Sequence, residues 1–399
     1  MPISAIRWHR RGRMPTAVAL VAAMAVALMG CTADADARAS AGGSSGGGGR
    51  KAAAEEKRRA VRTALRRLVT DGEAPGAAAL VRDGGVTRFT TVGVADTRSG
   101  RRIQRGDHFR AGSVTKTVIA ALTLRLTVEG RLNLSDTVEK HLPGLVRGHG
   151  NNGRKITVRQ LLTHTSGLFD YTADPVLAPQ LSPGEDTDDT KTHSPASLVR
   201  AALAHRPAFA PGTEWSYSNS NYVLLGMIVE RVTGRSYAAE ARRRVLAPLA
   251  LRNTSFPGAR TTLPAPHGHA YDAEGGDWRD VTDLDPSAAG AAGEMISTLD
   301  DLSRLLGSLL RGKAVPKAQL RRMEDTSASG GRYGMGLFPV KLPCGRTVWG
   351  HNGQVNGSYA LAVSTRDGSH TLVYRLNSDG PPDPDAETAL LTAEFCPDR

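Results

Sequence analysis

Residues 113–128 read SVTKTVIAALTLRLTV. Apolar residues recur every three or four positions in this stretch, which predicts an amphipathic helix that ends at Gly130. The apolar face consists of Val118, Ile119, Leu122 and Leu126. Ser113 and Lys116 stand three residues apart at the start of the helix, so both side chains would lie on one face, within reach of each other.

The Ser113–Lys116 pair is suited to nucleophilic catalysis. A serine hydroxyl is a weak nucleophile until a base takes its proton, and a lysine amine desolvated beside an apolar helix can be that base at neutral pH. The helix start also offers unpaired backbone N–H groups, which can stabilise a developing oxyanion. The same spacing also arises by chance, so the pair needs further support.

Two more segments carry polar groups suited to the same chemistry. Tyr217-Ser218-Asn219 is expected in a loop before a helix at 222–233, where a phenol can shuttle a proton and an amide can orient a lysine. His351-Asn352-Gly353 is expected at the end of a strand, where a histidine can hold an extended substrate and glycine lets its backbone approach.

The pattern of elements predicts an α+β fold. A helix is expected at about 52–70, followed by strands at 77–81 and 88–94 with a turn at 83–85. The middle, about 133–285, is predicted to be mainly helices and long loops. Ser194 and Thr298 are predicted helix N-caps, the second in a capping box with Asp301. Late strands are expected at 333–340, 347–349, 359–365 and 371–376, before a final helix from 383 to about 395. The sequence therefore predicts an antiparallel sheet flanked by the two terminal helices, with a helical insertion.

Taken together and in this order, the three motifs resemble those of the serine β-lactamase-like hydrolases. This family includes class C β-lactamases, serine D-alanyl-D-alanine carboxypeptidases and related esterases. The resemblance covers about residues 55–399, and its flanking stretches are 156–168 (ITVRQLLTHTSGL), 211–216, 222–234 and 295–302.

The resemblance implies a role for each motif residue. Ser113 is the acylated nucleophile, Lys116 its base, Tyr217 the proton shuttle, and Asn219 holds both Lys116 and the substrate amide. His351, Asn352 and Gly353 bind substrate, and the N–H groups of Ser113 and Gln354 form the oxyanion hole. The third motif departs from the usual Lys-Thr-Gly or His-Thr-Gly, because Asn352 replaces the threonine whose hydroxyl binds a terminal carboxylate.

These roles imply a serine hydrolase that forms an acyl-enzyme on Ser113 and is most similar to a D-alanyl-D-alanine carboxypeptidase. Hydrolysis of β-lactams or small esters is the alternative, and a penicillin-binding sensor without turnover is the non-enzymatic one. The expected partners are peptidoglycan stem peptides, β-lactams or small esters, with no metal or cofactor. If His351 acts as a cation toward a substrate carboxylate, activity should fall as the pH rises through about 6.5.

The first 51 residues predict export and anchoring. Residues 1–30 combine four arginines with a short apolar run, and the sequence Leu28-Met29-Gly30-Cys31 at its end resembles a lipobox. Lipidation of Cys31 would place the protein on the outer face of the membrane, and cleavage near Ala33 or Ala35 would instead secrete it. Residues 31–51 are expected to form a flexible tether and residues 52–399 the hydrolase domain.

The distribution of charge bears on nucleic-acid binding, and the cysteines bear on disulfide formation. The net charge is +12, but residues 1–70 hold 13 Lys/Arg against 4 Asp/Glu, and the remainder holds 38 against 35. Because the basicity belongs to the leader and the first helix, nucleic-acid binding is not expected. Cys344 and Cys396 are expected to form a disulfide in an exported protein, the alternative being two buried thiols.

Overall fold

A six-stranded antiparallel sheet forms the centre of the computed structural model, which describes residues 46–70, 74–181, 192–274, 277–380 and 382–396. Its strands are β1 (Gly76–Asp83), β2 (Val86–Gly93), β9 (Phe338–Lys341), β10 (Thr347–Val355), β11 (Ser358–Thr365) and β12 (His370–Leu376). Their order across the sheet is β2-β1-β12-β11-β10-β9. The first two strands of the chain thus pair with its last strand, which closes the fold around the helical middle.

Shorter strand pairs lie outside this sheet. They are β3 (Phe109–Arg110) with β8 (Ile296–Ser297), β4 (Arg147–Gly148) with β5 (Asn151–Asn152), and β6 (Tyr271–Glu274) with β7 (Asp277–Asp280). The last two pairs are hairpins within the middle of the chain, which was predicted to be mainly helices and long loops.

The helices of the described residues surround the sheet. They are α1 (Gly46–Thr70), α2 (Thr115–Val128), α3 (Val138–His141), α4 (Val158–Leu162), α5 (Ala178–Leu181), α6 (Pro195–Leu203), α7 (Asn219–Thr233), α8 (Tyr237–Ala241), α9 (Gly290–Gly293), α10 (Leu299–Leu310), α11 (Lys317–Met323) and α12 (Pro384–Phe395). None of the described helices is long and apolar enough to cross a membrane.

The sheet separates two hydrophobic cores. Because successive strand residues point to opposite faces, Ala78 and Leu80 of β1 join one core while Ala79 and Val81 join the other. The first core lies between the sheet and the helical middle. The second lies under the terminal helices α1 and α12, which pack against each other. The predicted α+β architecture is confirmed.

Several element boundaries differ from the predictions. Helix α1 begins at Gly46, inside the predicted tether of residues 31–51, and β9 begins at Phe338, five residues later than expected. Thr298 caps α10 by accepting from Asp301 N, but the Asp301 carboxylate accepts from Asn253 N instead of completing a capping box. The predicted signal segment, Cys31 and the rest of residues 1–45 lie outside the described residues.

A disulfide joins Cys344, in the β9–β10 turn, to Cys396, which follows α12. The two cysteines are 52 residues apart in sequence, so the bond ties the edge of the sheet to the C-terminal helix. It lies on the side of the sheet that carries the terminal helices.

Candidate active site

Ser113 lies in a 3₁₀ turn, Gly112–Val114, that leads directly into α2. The predicted helix therefore starts two residues later than expected, yet the Lys116 Nζ atom lies 2.9 Å from the Ser113 hydroxyl oxygen. Lys116 has no exposed surface, whereas Ser113 is partly exposed. A substrate can thus reach the hydroxyl while the amine behind it stays out of contact with solvent.

Two further acceptors surround the Lys116 amine. Its Nζ lies 2.7 Å from Asn219 Oδ1 and 2.7 Å from the carbonyl oxygen of Ala292. A neutral amine has two N–H donors and one lone pair, so these acceptors can take both donors and leave the lone pair for the Ser113 hydroxyl proton. Burial lowers the pKa of Lys116 to about 7, with Asp170 opposing the shift. The neutral base is therefore well populated near pH 7.

Tyr217 lies just before α7, and Asn219 is the first residue of that helix instead of a loop residue as predicted. Lys116 Nζ lies 4.9 Å from the centre of the Tyr217 ring. Burial raises the pKa of Tyr217 well above 10, and the Ser113 hydroxyl counteracts this in part. The phenol is therefore protonated at neutral pH and can deliver a proton. Its buried oxygen forms no hydrogen bond of ordinary geometry within the described residues.

His351 lies within β10, which continues to Val355, and not at a strand end. The side chain is 1% exposed, with Nε2 2.9 Å from the Tyr333 hydroxyl and Nδ1 against the Asn352 carbonyl oxygen. Because a carbonyl can only accept, Nδ1 carries the proton and Nε2 accepts from Tyr333. Burial and the neighbouring Lys116 lower the pKa of His351 to about 3. The imidazole is therefore neutral at physiological pH, which favours a neutral His351 over the cation whose titration would lower activity near pH 6.5.

The rest of the third motif divides between the two faces of the sheet. Strand alternation puts His351 and Gly353 on the face of Lys116 and Asn352 on the opposite face, where its side chain interacts with the Tyr359 hydroxyl. The predicted substrate contact through the Asn352 side chain is therefore not supported. The Gln354 side chain donates to the Asp379 carbonyl, so only its backbone N–H remains for the oxyanion site.

Backbone packing brings the two predicted oxyanion donors to one place. A Cβ atom on Gly353 would lie 2.8 Å from Ser113 N, and one on Gly112 would lie 2.5 Å from Gln354 N. Gly112 also has a φ of 53°, which favours glycine. These glycines allow the turn before α2 to contact β10, so the N–H groups of Ser113 and Gln354 can converge on one substrate oxygen.

Sequence reasoning missed three side chains that complete the site. His164 is fully buried and stacks on Tyr217 with ring centroids 4.2 Å apart. Its Nδ1 accepts from Ser218 N at 3.2 Å, and burial holds its pKa well below 6.5. Tyr333 bonds His351, and Asp170 bonds Asn219 at 2.9 Å. His164 and Asp170 lie in or just after the family-like stretch 156–168, which was the available signal.

No group of three or more His, Cys, Asp or Glu side chains suited to a metal ion occurs in the described parts of the chain. The site contains a partly exposed hydroxyl, a buried amine that titrates near neutrality, a protonated phenol and two neighbouring backbone N–H groups. Together they can activate a serine toward a carbonyl carbon, stabilise the resulting oxyanion and protonate a leaving group.

Comparison with known proteins agrees with this geometry. The Beta-lactamase family matches residues 61–396. The chain is similar to the structure of a D-stereospecific amidohydrolase from Streptomyces sp., with 45% identity and a TM-score of 0.78, over 85% of this chain and 98% of that one. It is also similar to the D-amino acid amidase of Ochrobactrum anthropi SV3, with 26% identity and a TM-score of 0.72, over 84% and 98% of the two chains.

A curated relative is Protein flp of Staphylococcus aureus (strain COL), which is 32% identical over 197 residues. The match covers 49% of this chain and 38% of that protein, so the chain spans well under two thirds of the relative's length. The predicted resemblance is confirmed: this chain belongs to the Beta-lactamase family and is a serine hydrolase of that superfamily.

Proposed function

We propose that this protein hydrolyses amides of D-amino acids, or short peptides with a D-residue on the acyl side, through an acyl-enzyme on Ser113. The observation that carries the proposal is the neutral, buried His351. A carboxypeptidase has to hold the terminal carboxylate of its substrate, and the resemblance assigned this task to the third motif. A neutral imidazole bonded to Tyr333 supplies no charge for it, which favours an uncharged leaving group.

The similar proteins support the same choice. The Streptomyces protein is a D-stereospecific amidohydrolase and the Ochrobactrum protein a D-amino acid amidase. The first shares 45% of its residues with this chain across nearly its whole length. The D-alanyl-D-alanine carboxypeptidase activity expected from the sequence stays a prediction, as do hydrolysis of β-lactams or small esters and the penicillin-binding sensor.

The proposed reaction has two stages, acylation of Ser113 and hydrolysis of the resulting ester, and Lys116 acts in both. Neutral Lys116 takes the Ser113 hydroxyl proton while the serine oxygen bonds to the amide carbon, and the N–H groups of Ser113 and Gln354 stabilise the oxyanion. Collapse breaks the C–N bond as the leaving nitrogen gains a proton from Tyr217, which Lys116 replaces. Water then attacks the ester carbon and gives a proton to Lys116, and Lys116 passes this proton to the Ser113 oxygen as the C–O bond breaks and the acid leaves.

The direct test compares matched amides. D-phenylalanine amide and D-alanine amide are each measured against their L-forms, with Ser113→Ala as the control. We expect kcat/KM for the D-amides to exceed that for the L-amides by about a hundredfold or more, and no turnover by Ser113→Ala. Equal rates for both enantiomers would contradict the proposal.

A second comparison tests the leaving group. An acyl-D-Ala-D-Ala peptide and the same peptide with a C-terminal carboxamide differ only in the terminal charge. We expect the carboxamide to be cleaved at least as fast. A strong preference for the free carboxylate, or a stable adduct with penicillin without turnover, would return the assignment to the carboxypeptidase or to the sensor.

We also propose that Cys31 anchors the protein on the outer face of the membrane. The lipobox-like sequence 28–31 supports this, together with the small polar residues that follow it. Cys31→Ser should move the protein from the membrane fraction to the medium without changing its specific activity. Unchanged membrane association of the variant would contradict lipid anchoring at this cysteine.

A further inference from the structure

Asp170 is the acidic group behind the candidate base. It caps the 3₁₀ turn Tyr171–Ala173, and its Oδ1 accepts from Thr172 N at 3.1 Å and from Thr172 Oγ1 at 2.9 Å. Its Oδ2 accepts from Asn219 Nδ2 at 2.9 Å. Part of the residue is exposed, but the carboxylate is enclosed by protein, and burial raises its pKa. Three donated hydrogen bonds favour its charged form.

The contact with Asp170 determines which end of the Asn219 amide meets Lys116. Since Nδ2 donates to the carboxylate, Oδ1 is left to face Lys116 Nζ at 2.7 Å. The reversed amide would set an oxygen against the carboxylate and an NH₂ group against the amine. Asp170 therefore excludes the flipped rotamer, in which Lys116 would lose an acceptor.

The same carboxylate sets the charge balance around Lys116. Four other titratable groups face this amine: His164 after α4, His351 on β10, and the rings of Tyr217 and Tyr222 at 4.9 and 5.6 Å. None of them supplies a negative charge at neutral pH, because both phenols have raised pKa values and both histidines lowered ones. The acidic group that opposes the effect of burial on the pKa of Lys116 is Asp170.

We propose that Asp170 is a positioning residue for acylation, which fixes the orientation of Asn219 and places a compensating negative charge behind the buried amine. Ser113, Lys116 and Asn219 would then act with Asp170 as one hydrogen-bonded series from the solvent-facing hydroxyl to the enclosed carboxylate. The inference rests on the proposed roles of Ser113 and Lys116, and it does not depend on which substrate the enzyme uses.

The test measures the pH dependence of Ser113 acetylation by p-nitrophenyl acetate, followed as intact protein mass between pH 5 and 9. In Asp170→Asn the negative charge is gone, so the proton on Lys116 is held less tightly. We expect the pH at half-maximal rate to fall by about one unit and the plateau rate to fall about tenfold or more. The rising part of the pH–rate profile is called the pH limb. If the pH at half-maximal rate does not change in Asp170→Asn, the proposal is overturned, whatever happens to the plateau rate.

A matched control comes from the same segment. Asp174 accepts from Val176 N and Leu177 N and bonds His205, so Asp174→Asn removes a carboxylate of similar structural importance. We expect Asp174→Asn to lower the unfolding temperature and to leave the pH limb in place. An equal shift in both variants would mean that the limb reports a loosened fold, and this result would overturn the proposal.

A milder variant keeps the test decisive if Asp170→Asn fails to fold. Thr172→Val is nearly isosteric and removes one hydroxyl donor from the Asp170 carboxylate. Loss of this donor raises the pKa of Asp170 further, so less negative charge remains on it to hold the Lys116 proton. The limb should move in the same direction by a smaller amount, and an unchanged limb would overturn the proposal. Hydrolysis of D-phenylalanine amide is measured in parallel. If the wild type does not hydrolyse this amide while the variants still shift the pH limb of acetylation, the substrate class is rejected and the role of Asp170 is retained.

Discussion

Two buried nitrogen bases lie on opposite sides of the candidate site, and burial brings the pKa of only one of them close to neutral pH. Lys116, on the helical side, has a pKa of about 7, and His351, on the strand side, has one of about 3. Both are fully enclosed, and burial is the main cause of both shifts. Burial lowers both pKa values by a similar amount from ordinary values of 10.5 and 6.5, so the difference reflects the kind of base. Lys116 has Asp170 behind Asn219, and His351 has a phenol and a backbone carbonyl.

The comparison indicates that the two sides of the site have different roles. The helical side holds the group that can exchange a proton near neutral pH, so the acid–base chemistry belongs there. The strand side offers a neutral imidazole and the close backbone approach at Gly353, which suit the binding of an extended, uncharged substrate. Variants on the helical side should therefore change the rate and its pH dependence, and variants on the strand side should change mainly substrate binding.

The largest expected effect is that of Ser113→Ala. Removal of a nucleophile that acts as one unit with its base should lower hydrolysis by several orders of magnitude, while the small change leaves the fold intact. Kinetics of amide hydrolysis and thermal unfolding check the two parts. Ser303→Ala, whose hydroxyl bonds Thr371, is the matched control and should keep its activity. Substantial turnover by folded Ser113→Ala would remove Ser113 as the nucleophile.

Tyr217→Phe should have the next largest effect. Loss of the phenol proton should slow acylation by amides by about a hundredfold, because the amine leaving group needs protonation. Esters with a good leaving group should be affected much less, and parallel rates for an amide and a nitrophenyl ester measure the difference. Tyr374→Phe removes another buried phenol, bonded to Glu387 on the far face of the sheet, and should affect neither rate. Equal losses for amide and ester would contradict the role of proton donor.

His351→Gln should have a moderate effect of a different kind. A glutamine can keep a polar group near Tyr333, so we expect KM to rise within about tenfold and kcat to change less. The pH at half-maximal rate should stay at the wild-type value, since a neutral histidine contributes no charge. A shift of that pH in His351→Gln would show that the imidazole titrates in the working enzyme and would break the comparison between the two sides.

The disulfide variant should affect activity least. Replacing Cys344 and Cys396 by serine opens a link across 52 residues and should lower the free energy of unfolding by about 2–4 kcal/mol. The specific activity of the folded protein should not change, because the bond lies on the other face of the sheet from Lys116. Chemical denaturation and kinetics below the unfolding transition separate the two quantities. A loss of activity without a loss of stability would link the terminal helices to the site.

The sequence was sufficient for the parts of this site that are local. Ser113 and Lys116 share a helical turn, and the terminal helices and late strands carry strong periodic patterns. The third motif was expected at a strand end, and Gly350 and Asn352 belong to residue types that are depleted in strands. Pairing of β10 with β11 through Val355 overrides that local preference.

The charges of the site could not be predicted in the same way. They depend on contacts between Lys116, Asp170, Asn219 and Ala292, which the fold brings together from distant positions in the chain. No local pattern marks Asp170 as more than a cap. The charge state of His351 was left open for the same reason, because only the folded chain shows that the ring is enclosed and bonded to Tyr333.

The central claim is that neutral Lys116 activates Ser113, and the pH dependence of Ser113 acylation by an uncharged ester tests it most directly. The base must lose its proton to act, so the rate of adduct formation on Ser113 should rise through a single limb near the Lys116 pKa of about 7 and then level off. A rate that stays flat or falls across this range, or an adduct that forms on another residue, would contradict the account.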